Sequence, residues 1–124
     1  MSSSYDIVII GAGVVGAAIA RELSRFKIDI GLLDKESDVS FGTSKANSGI
    51  IHAGFHSTPG SVKAKLCVAG NRMFDRISEE LGVPFERRGE IVAAFSYEET
   101  QILQELYRQG KQNNVQYMQL LGRQ

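Results

Sequence analysis

Cysteine is almost missing from this chain: Cys67 is the only one in 124 residues. That excludes an internal disulfide and a cysteine-cluster metal site, and it fits a reducing compartment. Cys67 itself reads as a small apolar residue of a helix; a reactive thiol needs an electropositive, exposed setting. Net charge is missing too, since 14 basic and 14 acidic residues cancel. With no long run of like charge, no nucleic-acid partner is expected. A membrane-spanning run is also lacking. The apolar stretch from Ile7 to Ala20 is shorter than the roughly 20 residues a bilayer requires, and Asp6 rather than a lysine or arginine precedes it, unlike a signal peptide. Residues 1–4 read as a loose tail and the protein as cytoplasmic, with peripheral membrane attachment left open. There are no internal repeats and no low-complexity tract. The chain is 43% hydrophobic and 23% charged, an ordinary globular balance. Its length suits one modest domain that buries roughly two-thirds of its unfolded surface.

What is present is concentrated between Asp6 and Asp34. Ile7-Val8-Ile9-Ile10 is an unbroken apolar run of the kind a buried parallel strand needs. Ala17 to Leu23 is a strong helix former. Gly11-Ala12-Gly13-Val14-Val15-Gly16 stands between them, at a strand-to-helix turn, where a GxGxxG spacing is informative. Gly11 permits a tight turn, Gly13 allows a pyrophosphate to approach the backbone, and Gly16 lets the helix pack closely on the strand. The helix N-terminus then turns free N–H groups and a positive dipole end toward the phosphates. A second strand, residues 29–33, ends in Asp34, 18 residues past Gly16. This is near the spacing at which a carboxylate meets an adenosine ribose. Such an acid accepts from the ribose hydroxyls and repels a 2′-phosphate.

The pattern predicts strand one at 5–10 and helix one at 14–26. Ile19 and Leu23 lie on the sheet-covering face, which Phe26 closes. From Lys35 to Gly60 the chain is rich in serine and glycine and has little periodicity; only 49–52 looks strand-like. Loops of this length are usually functional. A helix over about 61–81 follows, with Ser61 as N-cap and Gly82 as its left-handed stop. Residues 85–96 read as a strand or bent strand pair. In it Arg87 and Arg88 either meet an anionic substrate or line a solvent-facing edge. Ser96-Tyr97-Glu98-Glu99 is a capping box that opens a helix ending near Gln109, at Gly110. Asn113-Asn114 makes a turn, and 115–121 looks like a last short strand.

From Tyr5 to about Phe95 the sequence resembles the FAD-dependent oxidoreductases of the D-amino-acid oxidase-like group. Its nearest branch looks like FAD-dependent glycerol-3-phosphate dehydrogenase and L-2-hydroxyglutarate oxidase. The residues that carry this are the 6–16 block, Leu33-Asp34-Lys35, the 42–54 block (Gly-Thr-Ser-Lys-Ala-Asn-Ser-Gly-Ile-Ile-His-Ala-Gly) and 59–67. The resemblance implies an α/β fold: a Rossmann-type βαβ FAD-binding unit, truncated, over 1–84, and the start of an α+β substrate-binding region over 85–124. Gly11, Gly13, Val14, Val15, Gly16, Asp34 and Lys35 would hold the ADP half of FAD. Thr43, Ser44, Asn47, Ser48 and Gly49 would wrap the pyrophosphate and ribityl chain, with Ile51 and His52 near the isoalloxazine. His52 is the candidate catalytic residue, because imidazole carries a proton near neutral pH; a structural, hydrogen-bonded histidine is the equal alternative. His56 reads as a surface loop residue. No metal is implied. The expected substrate is a small secondary alcohol, glycerol 3-phosphate first and a 2-hydroxy acid second, with an electron-acceptor partner unspecified. The family's members are several times longer, so the chain reads as an N-terminal fragment, inactive alone. Its first strand lacks a neighbour on one side, which suggests self-association. The alternative of another class is a non-catalytic nucleotide-binding fragment.

Overall fold

Backbone donors and acceptors in an apolar strand need a ladder, and Ile7–Ile10 (β1) finds one in Ile30–Leu33 (β2). The two pair in parallel, Ile7 opposite Ile30 and Ile10 opposite Leu33. This is a computed structural model, and it describes residues 4–122. The pairing extends past both strand ends: the Asp6 N–H donates to the Asp29 carbonyl at 2.9 Å, and the Gly11 N–H to the Leu33 carbonyl at 2.7 Å. The Asp6 carboxylate returns a bond, accepting from the Asp29 N–H at 2.9 Å. Both expected strands are present, each slightly shorter than the expected ranges 5–10 and 29–33 and coinciding with its apolar run. Among the described residues β1 has a ladder partner on one side only. Of the tail expected over residues 1–4, only Ser4 lies within the described residues; it is exposed and without regular structure.

Val14–Leu23 forms the helix α1 between the strands. It stops three residues before the expected end. The Ser24 hydroxyl donates to the Arg21 carbonyl at 2.8 Å, and the Phe26 N–H turns back to the Leu23 carbonyl at 3.0 Å. Side-chain-to-backbone bonding of this kind competes with helix continuation. The face that covers the sheet is also shifted from the expected one. Gly16 is buried and Ala20 and Leu23 are half-buried, at four- and three-residue spacing, whereas Ile19 and Phe26 are exposed. Gly16 brings the helix so close to the sheet that the covering stripe runs through the small residues.

The chain forms two compact units, Met1–Gly49 and Ile50–Gln124. In the second, Val62–Leu81 forms α2 with the expected caps. Ser61 Oγ accepts from the Ala64 N–H at 3.1 Å, and Gly82 ends the helix at φ +63°. Tyr97–Gln112 forms α3. Ser96 Oγ accepts from the Glu99 N–H at 3.2 Å, and the Glu99 carboxylate accepts from the Phe95 N–H at 2.7 Å. The capping box is therefore closed, one residue further upstream than its usual form. The helix runs through Gly110 rather than stopping there. Gly110 is a packing position: a β-carbon on it would press on the Met118 sulfur and lie 3.0 Å from Phe55 Cβ. Asn113 is the cap, and Asn114 takes the left-handed turn at φ +58°.

The strands expected at 49–52, 85–96 and 115–121 are not formed. An extended segment becomes a strand only with a ladder partner, and none lies beside these among the described residues. Ile91 and Phe95 are both 91% exposed. The 115–121 stretch hooks back on α3, with the Val115 N–H donating to the Gly110 carbonyl at 2.9 Å. Among the described residues α2 and α3 do not pack along their lengths; what they share is the segment 51–57. No helix of the described residues is long and apolar enough to cross a membrane.

Candidate cofactor site

Gly11 makes the bend after β1 at φ +103°, a left-handed-region value that glycine adopts without steric cost. The bend carries the Gly11 carbonyl against the first turns of α1. Gly16 is what it meets: a β-carbon there would lie far inside contact distance of that oxygen, and 3.4 Å from Ile9 Cγ2. Gly13 is the N-cap of α1, extended at ψ −177°, with no side chain to cap the helix. The α1 N-terminus is therefore open to outside acceptors. One is already in place, since the Val14 N–H donates to Ser44 Oγ at 2.8 Å. A hydroxyl that accepts this bond keeps its own proton to donate. A β-carbon on Gly13 would stand 3.1 Å from that same oxygen.

Asp34 closes the opposite side of the bend. Its Oδ2 accepts from the Ala12 N–H at 2.6 Å and its Oδ1 from the Glu36 N–H at 3.0 Å. The Glu36 amide, and after it the Ala12 amide, hold this carboxyl below the usual carboxylate range, against a smaller opposing effect of desolvation. A carboxylate offers about four acceptor positions, so two bonds leave others turned outward on an exposed residue. Lys35 stands in solvent with its ammonium 3.6 Å from Glu36. Val14 and Val15 supply backbone to the first turn, and their side chains are exposed.

The serine-rich loop is built from local turns. The Ser40 N–H donates to the Ala12 carbonyl at 3.1 Å, which ties the loop to the bend. Asn47 spans two of its turns: Nδ2 donates to the Ser44 carbonyl at 2.6 Å, and Oδ1 accepts from the Gly49 N–H at 2.8 Å. This fixes the backbone that presents Ser44. Thr43 and Ser48 are exposed on the same loop. The first unit thus brings together Gly11, Gly13, Gly16, Asp34 and Ser44. The Ser40 tie to Ala12 had no signal in the sequence, because a backbone donor carries no residue signature.

The second unit holds Ile51, half-buried, and His52, exposed. Their carbonyls accept from Asn71 Nδ2 at 3.4 and 3.3 Å. The Cys67 thiol, half-buried in α2, also donates toward the His52 carbonyl, at 3.7 Å. Arg87 is neither on a strand edge nor turned out to an anion. Its fork donates to both Asp75 oxygens, at 2.8 and 2.5 Å. It also donates to Asn71 Oδ1 at 2.9 Å and to the Asn71 carbonyl at 2.8 Å. The guanidinium holds the Asp75 carboxyl below its ordinary range. Arg88 pairs with Glu86. His56 is exposed, with its ring 4.2 Å from that of Phe55.

Amides at an open helix N-terminus, a hydroxyl beside them and an ionised acid across the bend make a donor and acceptor set suited to a diphosphate next to a ribose. Comparison with known proteins points the same way. The family model described as DAO, FAD dependent oxidoreductase, matches residues 6–124. A glycerol 3-phosphate dehydrogenase from Caloramator mitchellensis is 50% identical over 119 residues, covering 96% of this chain and 25% of the relative. A mitochondrial L-2-hydroxyglutarate dehydrogenase from Pongo abelii is 41% identical over 122 residues, 97% of this chain and 29% of the relative. Among solved structures, dithionite-reduced L-alpha-glycerophosphate oxidase from Mycoplasma pneumoniae with FAD bound superposes with a TM-score of 0.79 at 30% identity. That match covers 94% of this chain and 30% of the other. The chain therefore spans between a quarter and three-tenths of the length of these relatives.

Proposed function

This chain belongs to the DAO family of FAD dependent oxidoreductases, and on that premise we propose that its first unit binds the ADP half of FAD. The observation that carries the reading is the Asp34 carboxylate bonded to the Ala12 N–H across the glycine bend, beside an α1 N-terminus whose N-cap, Gly13, has no side chain and whose Val14 amide meets the Ser44 hydroxyl. In this reading the Val14 amide positions Ser44, and the Val15 amide together with the proton that the Ser44 hydroxyl still has to donate holds the pyrophosphate. The outward acceptor positions of Asp34 take the ribose hydroxyls. Thr43, Ser48 and Gly49 lie along the ribityl chain, with Asn47 holding the loop's shape.

When bound, FAD supplies the hydride acceptor. The chain's own contribution to the chemistry is His52, whose imidazole would accept the proton that the substrate hydroxyl loses on oxidation to the ketone and release it to solvent. We assign the substrate as a small phosphorylated secondary alcohol, glycerol 3-phosphate giving dihydroxyacetone phosphate. The 50% identity to a glycerol 3-phosphate dehydrogenase and the fold shared with a glycerophosphate oxidase support this. A 2-hydroxy acid is the second reading, favoured by the 41% identity to an L-2-hydroxyglutarate dehydrogenase. In either reading residues 85–124 begin the part that meets substrate.

Equilibrium dialysis against FAD, NAD and ADP tests the cofactor. FAD retained above NAD is the expected result. Equal, weak retention of all three would reduce the site to an adenosine pocket and contradict a flavin role for Thr43, Ser48 and Gly49.

A further inference from the structure

The segment 51–57, which carries His52, has no ladder or helix of its own; beyond the bond from the Ser57 N–H to the Gly54 carbonyl at 3.2 Å, its carbonyls find donors on other elements. Three side-chain amides from two helices supply them. Asn71 on α2 reaches the carbonyls of Ile51 and His52. On α3, Gln109 Nε2 donates to the Phe55 carbonyl at 3.0 Å. The α3 cap Asn113 donates through Nδ2 to the carbonyls of Gly54 at 3.0 Å and Ser57 at 2.6 Å. Gly54 seats the segment on α2: at φ +102°, a β-carbon on it would lie 2.9 Å from Val68 Cγ2.

Asn71 differs from the other two in being oriented by a further pair. A carboxamide can turn either its oxygen or its nitrogen toward a neighbour. Arginine only donates, so the bond from Arg87 to Asn71 Oδ1 obliges the NH2 to face Ile51 and His52. Arg87 is in turn fixed in plane by the two-pronged bond to Asp75, a geometry that lysine cannot reproduce. The chain of contacts runs from Asp75 through Arg87 and Asn71 to the His52 backbone. The two bonds from Asn71 are long, 3.3 and 3.4 Å, so they depend on the amide being aimed.

We propose that Asn71, aimed by the Arg87–Asp75 pair, is a positioning residue that holds the backbone of His52 in place. Its consequence for catalysis rests on the reading of His52 given above. Asn71→Asp is the direct test. It keeps the volume and the acceptor for Arg87 but removes both donors. Arg87→Lys keeps the charge but removes the fork.

Backbone 15N order parameters on the full chain read the outcome. In Asn71→Asp, residues 51–53 are expected to fall from the rigid range near 0.85 to below about 0.6, with α2 unchanged. Arg87→Lys should give a smaller fall at the same residues. Unchanged order at 51–53, or a loss spread along α2, would overturn the proposal, the latter by showing that Asn71 merely supports its own helix. With FAD added, the loosened segment should also alter the flavin absorption band. A loosened segment with an unaltered band would uphold the positioning of the backbone and remove His52 from the flavin, so the two failures are told apart.

Discussion

Gly16→Ala is expected to be the most damaging single methyl group that can be added to this chain. The new β-carbon would be driven into the Gly11 carbonyl oxygen, with Ile9 Cγ2 behind it at 3.4 Å. Neither neighbour can give way cheaply. Gly11 is pinned to Leu33 through its N–H, and the next residue is pinned to Asp34, so α1 itself must lift from the sheet. Overpacking of this kind costs about 1–3 kcal/mol or more, a large part of the stability available to a small domain. Lifting α1 also moves its first-turn amides away from Ser44 and Asp34. Urea unfolding should show a loss of about 2–3 kcal/mol, and FAD retention should fall by roughly tenfold or more. Gly70→Ala is the matched control. Gly70 lies inside α2 with open space where its β-carbon would stand, so the same methyl should stabilise by about 0.5–1 kcal/mol. If Gly16→Ala behaves like Gly70→Ala, the close approach of helix and bend is not what shapes the site.

Replacing Asp34 should have the largest effect on ligand choice. Asp34→Asn keeps one acceptor oxygen but loses the negative charge, and Asp34→Ala leaves the Ala12 and Glu36 amides without their acceptor. ADP affinity should fall in that order, by roughly tenfold for the alanine. The charge makes a sharper prediction. A carboxylate repels a 2′-phosphate, so the wild-type chain should prefer ADP to its 2′-phosphorylated analogue, and Asp34→Asn should narrow that preference. An unchanged preference would place the ribose elsewhere. The pH dependence follows from the depressed carboxyl. Because the folded-state value lies below the unfolded one, the ionised acid contributes stability above the unfolded value, near 3.9. That contribution fades as pH falls through the lower, folded value. ADP binding should therefore persist through the range where an ordinary aspartate protonates and fail only below it, whereas Asp34→Asn should bind independently of pH there.

The parts of the fold that could be read in the sequence are those whose causes are local. The Ile7–Ile10 run, the glycine bend, the α1 former and Asp34 follow one another within 34 residues, and each constrains the next. The caps of α2 were equally legible, because Ser61 and Gly82 act on their own helix. What failed depended on something distant. Residues 85–96 and 115–121 are apolar enough for strands, but a strand is a pair, and the described residues hold no second member beside them. Gly110 reads as a helix stop, but α3 runs through it, because glycine also admits close neighbours and here Met118 and Phe55 lie against it. Periodicity puts Ile19 on the sheet face, yet the bulk of a covering residue is unwelcome where Gly16 brings the helix so close, and Ile19 is exposed. Asn113 is legible as part of a turn, but the bonds that Asn71, Gln109 and Asn113 make to the 51–57 segment have no signal in the sequence. On a helix a carboxamide looks like solvated surface until the loop it holds is known.

The claim on which the account turns is that the bend from Gly11 to Gly16 receives a diphosphate while Asp34 holds the neighbouring sugar. A 1H–15N correlation titration of the chain with ADP tests it most directly. The amides of Gly13 to Gly16, Ser44 and Glu36 should shift together along one saturating curve, and Asp34→Ala should weaken that curve without moving which amides respond. Saturating shifts confined to other residues, with the amides of the bend unmoved, would contradict it.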